Sequence, residues 1–161
     1  MNLSPLDLIQ RNSSSRLIRL MDEYGVKHSF IQFEITETVA TEYNSALNKA
    51  VDDFTDSGIG LCLDDFGSGY ANLNTVMQLP FSAIKLDRSL LSKICEDPRS
   101  ANFYHSIVSS FQNMGFHVIS EGVETEAEVQ LLSDYGVDMI QGFYFSKPLP
   151  PEKLLDLLEK P

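Results

Sequence analysis

At 161 residues, 43% hydrophobic and 22% charged, the chain has the size and composition of one globular domain with an ordinary core. Its formal net charge of −11 excludes direct, counterion-driven binding to DNA, RNA or an anionic membrane surface, because no basic patch is present to displace counterions. No apolar run approaches the roughly 18 residues that span a bilayer, and no basic-then-apolar leader opens the sequence. Cys62 and Cys95 lack metal-ligand or redox spacing, so reduced core thiols in a cytoplasmic protein are expected.

In chain order, Ser4 is placed to cap a helix with Pro5 in its first turn, running from Leu6 through Tyr24 and closed by Gly25. Phe30 to Ile35 reads as a strand that carries Glu34, with Glu37 just beyond it. Tyr43, Ala46, Leu47, Ala50, Val51 and Phe54 recur at helical spacing, and that helix stops near Gly58. An apolar run from Ile59 to Leu63 then delivers Asp64 and Asp65 to a loop, Phe66 to Tyr70, whose two glycines permit a tight turn. A short helix from Ala71 to Leu79 ends at Pro80, and Ala83 to Leu86 is a strand bearing Lys85, with Asp87 after it. Arg99 to Met114 is an amphipathic helix, and Phe116 to Ser120 a strand that delivers Glu121, with Glu124 three residues later. Glu126 to Tyr135 reads as a helix, and Val137 to Phe145 as a strand carrying Gln141, with Phe143, Tyr144 and Phe145 as core. Pro151 to Lys160 closes the chain as a helix.

Four times, at Gly25, Gly58, Gly115 and Gly136, a helix ends at glycine, a strand follows, and a polar group stands at or near that strand's end: Glu34, Asp64, Glu121 and Gln141. Alternating helices and strands imply parallel strands joined by right-handed crossovers, so these ends face one crevice. Carboxylates plus one lysine, with no Ser-His or Cys-His pair, point to metal-assisted hydrolysis. Two adjacent acids such as Asp64 and Asp65 are costly to bury without a proton or a cation, and oxygen ligands suit a hard divalent ion. The plainer alternatives are that Asp before Gly caps a turn and that Lys85 is only an ion-pair partner. His28, His105 and His117 match no motif and read as structural or exposed.

NLSP, FEITE, LDDFGSGY, IKLD, SEGVET and QGFYFSKPLP, in this order and spacing, resemble the EAL domain family of cyclic di-GMP phosphodiesterases over essentially the whole chain. The resemblance implies an α/β fold, a modified TIM-like (β/α)8 barrel, of which about five complete parallel strands with alternating helices are present. It further implies hydrolysis of cyclic di-GMP to linear pGpG at a two-metal site holding Mg2+ or Mn2+, in bacterial second-messenger signalling. Asn2, Glu34 and Asp64 match metal ligands, and Asp65 matches a ligand of the second ion. Lys85 matches the lysine that holds the attacking water, and Glu121 an acid acting as general base or ligand. Glu37 matches the anchor of the 66–70 loop, while Gln141, Asp87 and Glu124 match substrate-side or supporting positions.

The strand bearing the Glu-Ala-Leu motif itself has no counterpart in this sequence, so residues 1–161 are expected to form a single fragment, the C-terminal two thirds of the barrel. An open barrel exposes strand edges and apolar surface, which predicts a homodimer or a strand-completing partner. Two further readings remain open: a non-catalytic module that binds cyclic di-GMP or dimerises, and a general phosphohydrolase.

Overall fold

The computed structural model describes residues 1–4, 13–36, 39–40, 45–69 and 73–158. Alternation of strand and helix becomes one parallel sheet whose five strands lie side by side in sequence order: β1 (Gln32–Thr36), β2 (Gly60–Phe66), β3 (Ala83–Leu86), β4 (His117–Ser120) and β5 (Met139–Ile140). Each strand pairs in parallel with the one before it, which is the order of a (β/α) barrel, and these strands form an arc of one. Met1 to Leu3 extends the arc beyond β1: Glu34 N donates to Met1 O at 2.9 Å and Leu3 N to Glu34 O at 2.9 Å.

The helices α1 (Ser13–Glu23), α2 (Ser45–Asp56), α3 (Leu73–Gln78), α4 (Arg88–Leu91), α5 (Pro98–Asn113), α6 (Glu126–Asp134) and α7 (Pro151–Leu158) lie before, between and after the strands. Successive strand residues point to opposite faces of the sheet, and the face turned to the helices is apolar apart from Ser120. Phe33, Ile35, Leu61, Leu63, Ile84, Leu86 and Val118 are each 2% exposed or less and share one core with Leu47, Val51, Phe54, Tyr104, Val108, Phe111 and Leu132 of the helices. Burying each large aliphatic or aromatic group of this kind contributes roughly 1.5–3 kcal/mol, which fixes the register of every strand. Ring contacts tie the layers: Phe33 to Phe54 at 4.6 Å and Phe66 to Phe111 at 5.0 Å between centroids.

The opposite face of the sheet carries a small separate cluster, Cys62, Ala83 and Ile119. Each of these residues stands two positions before Asp64, Lys85 and Glu121 respectively, so the strand period of two places the charged groups on the same inner face, one layer further on. The expected turn glycines hold: Gly25, Gly58, Gly115 and Gly136 all have positive φ after a helix end.

Several expectations are corrected. Phe30 belongs to a 3-10 turn, His28–Phe30, is exposed, and precedes the strand rather than starting it. The strand expected from Val137 to Phe145 is reduced to Met139–Ile140, and Phe143, Tyr144 and Phe145 are exposed in a turn, not core. The cause is local: Val123 N donates to Gln141 O and Tyr144 N to Val123 O, so the backbone after Ile140 turns against the loop that follows β4 instead of extending. Helix α4 has no counterpart among the elements expected from the sequence, and Cys95, expected in the core, is exposed while Cys62 is buried. The start of the first helix, with Pro5, and the residues Glu37 and Tyr70 lie outside the described residues. No described helix is long and apolar enough to cross a membrane.

Candidate metal centre

Four neighbouring strand ends contribute one charged group each. Glu34 projects from β1, Asp64 from β2 and Lys85 from β3, while Glu121 follows β4 directly, its backbone N–H donating to Leu86 O at 3.1 Å. Parallel pairing sets Glu34 opposite Cys62 and Lys85 opposite Ile119, each two residues short of Asp64 and Glu121 respectively, so the four groups step diagonally across one face of the sheet and their side chains meet above it. Lys85 Nζ sits at their centre, 3.1 Å from Glu34 Oε1, 2.9 Å from Asp64 Oδ1 and 2.5 Å from Glu121 Oε1. Asn2 closes the group from the edge of the arc. With its amide nitrogen facing the acids it lies 3.1 Å from Glu34 Oε2 and 3.2 Å from Asp64 Oδ2.

Asp65 enters by a different device. Register between β2 and β3 shifts between Leu63 and Phe66, and Asp65 takes a left-handed conformation with φ of 59°. It has no glycine's freedom there, and such a conformation costs of order 1–3 kcal/mol unless the surroundings hold it. The bulge lets two consecutive residues reach the same side: ligand oxygens of Asp64, Asp65 and Glu121 all lie within 4.8 Å of one another, and Asp65 N donates to Asp64 Oδ1 at 3.1 Å.

The electrostatics are unbalanced in favour of negative charge. Asp64 and Lys85 are buried, and Glu34, Asp65 and Glu121 are partly so. Four carboxylates thus face one buried ammonium, with the exposed N-terminal amine of Met1 lying 3.9 Å from Glu34 Oε2. Burial, reinforced by the charges of Asp64 and Asp87, raises the Asp65 carboxyl above the usual range. Burial also raises Glu121, against the opposing hydrogen bond from Lys85. For Lys85, burial pulls downward, but hydrogen bonds to Glu121 and Asp64 outweigh it and the ammonium is held above its ordinary value. Beneath them the Cys62 thiol is pushed up to about 12, chiefly by burial, and stays neutral. A cluster of hard oxygen donors with excess negative charge fits a hard divalent cation, and offers nothing to a soft one except through that buried thiol.

The other expected positions lie around this centre rather than in it. Asp87 caps α4, its Oδ1 accepting from Ser89 N at 2.9 Å. Glu124 turns to Arg88, with Nη2 to Oε2 at 3.1 Å. Gln141 is exposed after β5, its N–H donating to Ser120 O at 2.8 Å, and it lines a cavity of about 460 Å³ with Ile140, Phe143 and Lys147. Two supports were not foreseen. Tyr104 of α5 donates to Ser120 Oγ at 2.8 Å, a fully buried hydroxyl pair directly before Glu121, and Arg88 crosses the loop after it. Outward alternation could have placed Ser120 facing the helices, but nothing in the sequence pairs it with Tyr104.

The EAL domain family matches this chain over residues 1–148. The cyclic di-GMP phosphodiesterase RocR of Pseudomonas aeruginosa is 34% identical over 155 residues, covering 96% of this chain and 40% of RocR. Among solved structures, the EAL domain of Mycobacterium smegmatis DcpA superposes with a TM-score of 0.89 at 28% identity, covering 98% of this chain and 70% of that one. Klebsiella pneumoniae BlrP1, solved as a manganese and cyclic di-GMP complex, superposes with a TM-score of 0.85 at 29% identity, covering 92% of this chain and 38% of that one. The chain therefore spans about two fifths of the length of RocR and of BlrP1.

Proposed function

The chain belongs to the EAL domain family, and from that membership and its acid cluster we propose that it carries most of the metal-binding face of a phosphodiesterase that opens cyclic di-GMP to linear pGpG in bacterial signalling. The observation that carries the reading is the convergence of Glu34, Asp64 and Glu121, from three different strand ends, on Lys85 Nζ, with Asp65 turned in beside them. Asn2, Glu34, Asp64, Asp65 and Glu121 would hold Mg2+ or Mn2+, which when bound supplies Lewis-acid polarisation of the phosphodiester and of a water.

The chain's own groups account for the proton movements. Lys85, kept charged by its acidic neighbours, turns one of the three N–H donors now held by Glu34, Asp64 and Glu121 to the attacking water and orients it toward phosphorus. Glu121, with its carboxyl raised toward neutrality, accepts the water's proton as the new P–O bond forms. The departing ester oxygen takes up a proton from solvent water as its own bond to phosphorus breaks, and Glu121 afterwards releases the proton it accepted to solvent. Asp87, Glu124 and Gln141 are assigned to the periphery, where they shape the loops that flank the substrate.

Incubating this chain with Mn2+ and cyclic di-GMP, beside Asp64→Ala, and resolving products by chromatography tests the reading. Linear pGpG that disappears in the variant supports it. Binding of cyclic di-GMP without turnover favours the second reading, a non-catalytic binding module, which the outward orientation of Glu124 and Asp87 supports. Among the described residues β5 is the last strand of the sheet, and Met139, Phe143, Phe145, Leu154 and Leu155 are exposed nearby in sequence, which supports assembly with a second copy or a strand-completing partner. Light scattering that finds only monomer counts against it. The exposed free thiol of Cys95 suits a reducing, cytoplasmic setting.

A further inference from the structure

The loop that carries Glu121 is held across its middle by a side chain that the proposed chemistry does not use. Arg88 opens α4, three residues after Lys85. Its stem lies over Gly122, which has φ of 70°; a Cβ there would come within 2.8 Å of Arg88 Cβ and 2.9 Å of its Cδ. Past the glycine, Arg88 Nη2 reaches Glu124 Oε2 at 3.1 Å. The loop is fastened at both ends as well. Glu121 N donates to Leu86 O at 3.1 Å, while Glu128 Oε2 accepts from Glu124 N at 2.8 Å and from Thr125 N at 2.9 Å. Residues 121–124 are therefore stapled to the end of β3 on one side and to the start of α6 on the other, with Val123 paired to Gln141 and Tyr144 between them and Arg88 lying across Gly122 to Glu124.

The choice of arginine is informative because it carries a cost. Arg88 Nη1 is buried and finds no acceptor among the described residues, which is unfavourable for a donor withdrawn from water. An aliphatic side chain would cover Gly122 without that penalty. Arginine makes sense at this position when the reach from the β3 end to Glu124 is what matters.

We propose that Arg88 is a positioning residue: its stem over Gly122 and its pairing with Glu124 hold the 121–124 loop so that Glu121 Oε1 meets Lys85 Nζ. The consequence for metal binding rests on the function proposed above, whereas the effect on the loop does not. The test compares Arg88→Ala, Arg88→Lys, Glu124→Gln and the Arg88→Ala/Glu124→Gln double variant of this chain. Hydrogen–deuterium exchange over residues 120–126, Mn2+ titration calorimetry and thermal unfolding are read for each. Arg88→Ala is expected to speed exchange in the loop about tenfold with β2 and α5 unchanged, and to weaken Mn2+ about tenfold, the scale typical of residues that orient a ligand. Arg88→Lys restores part of the Mn2+ affinity, and the double variant is no worse than Arg88→Ala, because the two residues act as one clamp. Unchanged loop exchange in Arg88→Ala, additive effects of the two single substitutions, or faster exchange across the whole sheet would each overturn the proposal. Failure of the unaltered chain to bind Mn2+ would instead sink the metal-centre reading, and loop exchange alone would still decide Arg88.

Discussion

Replacing Lys85 by Met removes the one cation at the heart of the acid cluster and should unfold the metal-free protein far more readily at pH 7. Lys85 is 5% exposed and touches Glu34, Asp64 and Glu121 within 3.1 Å. Removing one partner from a buried charge group of this kind costs about 3–5 kcal/mol, since the remaining charges stay buried without compensation. At about 2–4 °C per kcal/mol for a chain of this size, the melting temperature falls by roughly 6–20 °C. The pH dependence follows from the directions of the shifts. The Lys85 value is raised, so its stabilising contribution is complete below the ordinary lysine pKa and is lost only as pH rises through the higher folded value; at pH 7 the native protein has all of it. Asp65 and Glu121 are raised acids, so they penalise the fold above the ordinary carboxylate range, and the penalty is relieved as pH falls into their raised range. Lys85 holds both of these carboxyls down, so without the ammonium they rise further, and the gap between Lys85→Met and the unaltered chain should narrow from pH 7 to pH 5. Mn2+ at about a hundredfold its dissociation constant should return about 2.7 kcal/mol to the variant. Differential scanning fluorimetry with EDTA at both pH values, and then with Mn2+, reads all three effects. Equal melting temperatures of variant and parent at pH 7 without metal would refute the picture of ionised acids held together by Lys85.

Asp64→Asn keeps the shape of the inner layer but removes a charge shared by the metal cluster and Lys85, so Mn2+ affinity measured by calorimetry should drop at least about tenfold and turnover should be lost. Gly142→Ala would drive a Cβ into the Val123 carbonyl oxygen and amide nitrogen, and overpacking of this kind costs about 1–3 kcal/mol or more; an unchanged urea midpoint would contradict the close approach. Tyr104→Phe leaves Ser120 Oγ buried without its donor, at about 1–3 kcal/mol in urea unfolding. The same tyrosine, pushed up to about 12 by burial, should be missing from the phenolate absorbance gained between pH 9 and 11.

The layering of the fold was legible because it rests on patterns that recur. A strand that is apolar on the side facing helices, a glycine at four of the helix ends and a polar group near the strand ends define a parallel β/α repeat without any tertiary information. The pattern failed where the sheet stops. Residues 137–145 are as rich in aromatic and aliphatic groups as the inner strands, yet the strand is confined to Met139–Ile140 because the Val123 loop takes the backbone groups of Gln141 and Tyr144. Composition reports that such a segment suits a strand; only the neighbours decide how far it pairs.

The site divides along the same line. Glu34, Asp64, Lys85 and Glu121 could be assigned to one crevice because a period of two fixes which face each occupies, and Glu121, one residue past β4, keeps that period through its backbone bond to Leu86 O. Asp87 and Glu124 fall at the same strand ends, but they follow the last paired residue, where alternation no longer constrains direction; one became a helix cap and the other an arginine's partner. Asp65 breaks the alternation from within. As the neighbour of Asp64 it should face the opposite side of an ideal strand, and only the bulge and a left-handed backbone turn it inward. That strained conformation at an aspartate, where glycine or asparagine would be easier, is what an acid placed for a cation requires. Aspartate at position 65 therefore argues for a metal ligand more strongly than its adjacency to Asp64 does, because a turn alone would be satisfied by a residue with less strain and no charge.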